Sequence, residues 1–146
     1  MKISQLHKLG GILAILIILF FQVLTISSEF SGDFNRIITA KQIIAWLIPF
    51  LVITLIGTGI SGRKLAGKST NILIIRKQSR MKFIAANGIL ILLPSAYILL
   101  YLSKIQPVTN LFWILQTLEI SSGLINLTLL ILNAKDGIAR RLERAK

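Results

Sequence analysis

The sequence predicts an all-α integral membrane protein: a four-helix bundle running up-down-up-down, with both termini in the cytoplasm. Three observations predict it. Four stretches of about twenty residues are almost free of charge. Only 15% of the residues are charged, where a soluble domain usually carries about 25%. The basic residues also crowd into alternate loops, the pattern that orients membrane helices.

A helix rises about 1.5 Å per residue, so about 20 apolar residues cross the roughly 30 Å hydrocarbon layer. The first span is expected over about 9–28, because twenty uncharged residues separate Lys8 from Glu29. Its apolar run is long for a signal peptide, and Ser27 and Ser28 make a poor cleavage site, so it is read as retained. The second span is expected over about 42–62, between Lys41 and Arg63, and the third over about 83–103, between Lys82 and Lys104. Pro49 and Pro94 lie inside these two. Each removes a backbone donor and disturbs the carbonyl four residues earlier, at Ala45 and Leu90, so kinks are expected there. The fourth span covers about 110–134 and is interrupted once, by Glu119. The whole chain, 1–146, reads as one domain with a basic loop at 63–82 and a basic tail at 135–146.

Orientation follows from charge. Fourteen Lys and Arg residues lie on the side shared by the N-terminus, the second loop and the tail, while the first and third loops hold only Arg36, Lys41 and Lys104. The crowded side is the cytoplasm. Trp46 and Trp113 fall near the opposite ends of their spans, where indole favours the interface. Anionic headgroups are the expected contacts of Arg63, Lys64, Lys68, Arg76, Lys77, Arg80, Lys82, Arg140, Arg141 and Arg144. A net charge of +12 would otherwise suggest nucleic acid, but basic clusters beside apolar spans are topology and lipid signals, so no nucleic acid is expected. Asn71 is placed to cap a helix from Ile72, which either runs into the third span or lies in the interface. Gly137 is placed to end the last helix.

Several chemistries are excluded. With no cysteine there are no disulfides, iron–sulfur clusters or thiol reactions. The single histidine, His7, cannot supply paired haem ligation or a histidine-rich metal site, and is read as solvated near the headgroups. The segment GTGISG lacks the lysine and strand context of a phosphate loop and reads as a packing surface, with Gly57, Gly59, Ser61 and Gly62 allowing close helix contact. No nucleophile, base or metal spacing indicates an enzyme, and no cofactor is expected.

The polar residues inside the spans are the candidate site. Counted from the basic edge, Glu119, Gln22 and Tyr97 fall at nearly one depth. Gln116, Glu119 and Asn126 share one stripe of the fourth helix, and Asn87, Pro94, Tyr97 and Tyr101 share one arc of the third. Such stripes face a bundle interior, so Glu119, Gln22, Tyr97, Gln116, Asn126 and Asn87 are expected to converge, with the third and fourth spans packed as a hairpin. No basic residue falls inside an expected span. Desolvation without a countercharge favours the neutral acid, so Glu119 is expected to be largely protonated at neutral pH or to face a wet cavity.

The segments MKFIAANGILILLP and LEISSGLINLTLLILNAKDG resemble small bacterial inner-membrane proteins with no assigned activity. The resemblance covers about half the chain and implies a bacterial inner-membrane location. Small multidrug transporters also have four helices and one membrane glutamate, but theirs lies in the first helix of a shorter chain. The expected function is a non-enzymatic subunit, assembly partner or homo-oligomeric bundle in the lipid bilayer. The alternative is a small proton-linked transporter or channel working through Glu119.

Overall fold

A computed structural model describes residues 2–105 and 109–143. Its helices are α1 (Ile3–Phe30), α2 (Phe34–Ala66), α3 (Ile72–Asn87), α4 (Leu93–Ile105) and α5 (Asn110–Glu143), with a π-helical turn, Gly88–Leu92, joining α3 to α4. The joined rod Ile72–Ile105 and the other three helices are each long and apolar enough to cross a membrane. The chain is therefore all-α with four candidate membrane spans.

Each connection has a local cause. After α1, Gly32 takes φ 64°, a conformation glycine adopts without strain. Asp33 then accepts the Asn35 N–H at 2.9 Å and caps α2. At the other end of α2, Gly67 takes φ 54° and its N–H returns to the Arg63 carbonyl at 3.2 Å. Asn71 accepts the Leu73 N–H at 3.0 Å and starts α3 at Ile72, as the sequence indicates. The basic segment after it continues directly into the third span. Gly137 does not end the last helix, which runs on to Glu143. Arg144 and the side chain of Arg141, both expected at lipid headgroups, lie outside the described residues.

Pro94 acts as expected, through a different device. Its missing N–H and the clash with the carbonyl at Leu90 are absorbed by the π turn just before it, where the Leu93 N–H bonds the Gly88 carbonyl. A π turn holds one residue more than an α turn. It therefore rotates everything after it by about 100° relative to a straight helix.

Consecutive helices run antiparallel, and the four rods close into a ring in which α1 touches α2 and α5, while the α3–α4 rod touches α2 and α5. Rods α2 and α5 lie on a diagonal. The end carrying the N-terminus, the turn at Gly67 and the close of α5 is called the basic end; the other is the far end. Three apolar layers fill the interior. Ile18, Ile84 and Leu130 form the layer nearest the basic end. Ile44, Ile48 and Ala96 form the middle, and Ile37, Leu99 and Phe112 the far layer. Outside, Leu16, Val23, Phe50, Ile53, Leu90 and Ile114 are exposed, the surface expected of helices solvated by lipid. Thr117 and Thr128 sit on that surface and return their hydroxyls to their own helix, at Trp113 O (2.9 Å) and Leu124 O (2.8 Å).

Candidate functional site: a buried polar core along α5

The interior face of α5 is polar along most of its length. Gln116, Glu119, Ser122, Asn126 and Asn133 are all buried, at the three-to-four-residue spacing of one helix face. Each of the other rods presents a polar group to it.

From α2 comes Lys41. Its side chain is fully buried, and Nζ lies 2.7 Å from Glu119 Oε2, whose own side chain is only 10% exposed. Because α2 and α5 are diagonal, the lysine stem crosses the middle of the bundle. Gln116 Nε2 donates to the same carboxylate oxygen at 3.2 Å. The expected isolation of Glu119 therefore does not hold, since Lys41 supplies its countercharge. Lys41 is read from sequence as the loop residue before the second span, but α2 begins eight residues earlier than 42. From the Asp33 cap, Ile37, Lys41, Ile44 and Ile48 follow at helical spacing on the inward face. That cap, read first, is the signal that would have found the lysine.

From α3 comes Asn87. Its amide donates to Asn126 Oδ1 at 2.9 Å and to the Ser122 carbonyl at 3.0 Å, and Asn126 donates back to the Ile84 carbonyl at 3.3 Å. The sequence-derived pairing of the third and fourth spans is present, and these two asparagines join them. From α1 comes Gln22, buried against Gly123, where a Cβ would collide with the glutamine amide. Tyr97 does not join. It is 44% exposed, as is Tyr101 at 63%, because the π turn rotates both outward and brings Ser95, Ala96, Leu99 and Ser103 inward.

Two further polar contacts were missed. His7 is half-buried in the α1–α2 contact rather than solvated. Its Nδ1 lies 3.0 Å from the Thr58 carbonyl and 3.2 Å from Ser61 Oγ, and it packs on Gly62. Gly10 packs on Thr58 in the same contact, whereas Gly57 and Gly59 face open space. At the basic end, beyond the apolar part of its helix, Asp136 accepts from Arg76 at 2.9 and 3.0 Å and from Arg80 at 2.8 Å. The Arg76 hydrogen bonds and the charge of both guanidinium groups hold its carboxyl below the usual range. Both arginines, expected at lipid headgroups, thus have a protein partner, while Arg63, Lys64, Lys68 and Lys82 are exposed and Lys77 and Arg140 partly so.

The arrangement can fix helix register, and it can hold or pass a proton. Among the described residues, no group of three His, Cys, Asp or Glu side chains comes together to hold a metal. The two best-formed concavities are open surface grooves. One of about 360 Å³ lies between α1 and α2 at the far end, beside Ser28, Asn35 and Thr39. The other, about 410 Å³, lies between α3 and α5 beside Arg80, Phe83 and Leu129. Compared with known proteins, the chain matches no family model, no curated protein and no solved structure.

Proposed function

We propose that this chain is a non-enzymatic, multi-pass protein of a bacterial inner membrane, working as a subunit or assembly partner in a larger or homo-oligomeric complex. One observation carries this reading: polar groups from every other rod converge on α5 and bind there. Lys41 reaches Glu119 across the diagonal, Asn87 binds Asn126, and Gln22 fills the notch at Gly123. These contacts join every rod to α5, so the groups that bear chemistry also hold the bundle. The basic end faces the cytoplasm, where Arg63, Lys64, Lys68 and Lys82 meet anionic headgroups, each for about 1 kcal/mol.

The test is purification of the full chain in mild detergent, followed by native mass spectrometry. A defined oligomer or a stoichiometric membrane partner is expected. A bare monomer that drives pH-dependent flux in proteoliposomes, lost in Glu119→Gln, would replace this reading with proton-linked transport. The buried Lys41–Glu119 pair favours that second reading, since ionisable groups inside spans mark proton paths by default. Orientation is tested by cysteine labelling: Ser69→Cys is expected to react from the cytoplasm only, and Ser31→Cys from outside only.

A further inference from the structure

Carried along the two helices from the contact of Gln22 with Gly123, the register of α1 against α5 sets Glu29 at the height of Gln116. Seven residues make about two turns, so seven steps up antiparallel α1 and seven steps back along α5 return to the same faces about 10 Å nearer the far end. Those steps lead from Gln22 to Glu29 and from Gly123 to Gln116. Glu29 is also within electrostatic range of both Lys41 and Glu119.

Both members of this pair are incomplete. Gln116 is 1% exposed, and its amide nitrogen is aimed at Glu119. Its Oε1 is buried and has no hydrogen-bond partner among the described residues, and the same holds for Glu29 Oε1. Two buried oxygens without donors, at one height on neighbouring helices, call for a hydrogen. Charge points the same way: Glu119 and Glu29 both lie within electrostatic range of Lys41, two carboxylates to one ammonium. Lys41 spends one of its three N–H groups on Glu119. The other charged groups near this end, Asp33 and Arg36, lie 3.6 Å apart on the exposed rim of α2 and are paired with each other. Lys104 is exposed at the close of α4, and Tyr97 and Tyr101 turn away.

We propose that the far end of the bundle is a binding site for one exchangeable proton, held between Glu29 and Gln116 and shared electrostatically with the Lys41–Glu119 pair. In the loading step a hydronium ion gives its proton to the Glu29 carboxylate and leaves as water. The new O–H donates to Gln116 Oε1. Glu29 is half-buried at the end of α1, where its chain neighbour Ser28 lines the groove between α1 and α2, so the far end is the shortest route for the proton. The site holds whether or not protons cross the membrane, and is independent of the subunit reading above.

The test is acid-minus-neutral infrared difference spectroscopy on the full chain in liposomes of zwitterionic phospholipid. A protonated-carboxyl stretching band is expected on acidification, lost in Glu29→Gln and retained in Asp33→Asn. In Gln116→Leu the band is expected to remain but shift in frequency, since its acceptor is gone. Survival of the band in Glu29→Gln would overturn the assignment, as would an unchanged frequency in Gln116→Leu. Loss of the wild-type band on adding sodium at constant pH would overturn the proton in favour of a metal cation.

Discussion

Replacing Lys41 with Met is the sharpest perturbation of this bundle. At 2.7 Å and an effective dielectric near 20, the gross attraction between ammonium and carboxylate is about 6 kcal/mol. Desolvation of the two ions offsets most of it, so the pair as a whole adds little net stability. Removing one partner is different, because the other stays buried. The expected loss for Lys41→Met is about 3–5 kcal/mol. Glu119→Gln is expected to cost less, because Lys41 keeps Glu29 as a second carboxylate while Glu119 without Lys41 keeps only a like charge and the Gln116 amide. The double variant Lys41→Met/Glu119→Leu is expected to be more stable than Lys41→Met alone, giving a coupling of about 2 kcal/mol or more. Equilibrium unfolding in mixed micelles, read by circular dichroism and tryptophan fluorescence, measures all three. A Lys41→Met loss below about 0.5 kcal/mol, or strict additivity in the double variant, would refute a formed, buried pair.

Other substitutions probe the remaining contacts. Asn87→Leu is expected to cost about 1–2 kcal/mol in the same unfolding assay and to be non-additive with Asn126→Leu. Gly10→Val drives side-chain atoms into Thr58, whose hydroxyl is tied to the Thr54 carbonyl at 2.7 Å; a loss of about 1–3 kcal/mol is expected, whereas Gly57→Ala, in open space, should be near neutral. Asp136→Asn is expected to cost about 1 kcal/mol, modest because Arg76 is half exposed. Since the folded carboxyl lies below its ordinary value of 3.8, its contribution is full above that pH and fades as pH falls through the folded value, so wild type and Asp136→Asn should converge in stability in strong acid.

Much of the fold was legible because long apolar intervals between charges leave few solutions other than helices. Intervals without charge located four helices, Asn71 announced the start of α3, and of the two interior prolines Pro94 follows a π turn while Pro49 lies within continuous α-helix. The misreadings have separate physical causes: a span edge, a helical phase and a tertiary contact. Treating Lys41 as an edge assumed that a charge ends a span, when a lysine long enough to cross the bundle can end inside it with a carboxylate waiting. Tyr97 was assigned inward by counting 100° per residue through Pro94. The π turn inserts one residue into that count, and the inward face of α4 becomes Ser95, Ala96, Leu99 and Ser103. Gly137 carried a stop signal, yet Asp136 beside it is gripped by two arginines of α3, which keeps the helix in place past the glycine. Of the candidate cluster, Glu119, Gln116, Asn87, Asn126 and Gln22 are buried along one face of α5, while the two charged members missing from it, Lys41 and Glu29, sat at the edges where attention to spans stops.

Because α5 meets a polar group from every other rod and leaves the ribosome after all of them, the nascent chain passes through an uncomfortable interval. Until the segment around Glu119 and Asn126 arrives, Lys41 and Asn87 have no mates. In the membrane setting proposed above, three spans would have to be held together until the fourth joins them, and a chain stalled before Asn110 would carry an unmated lysine.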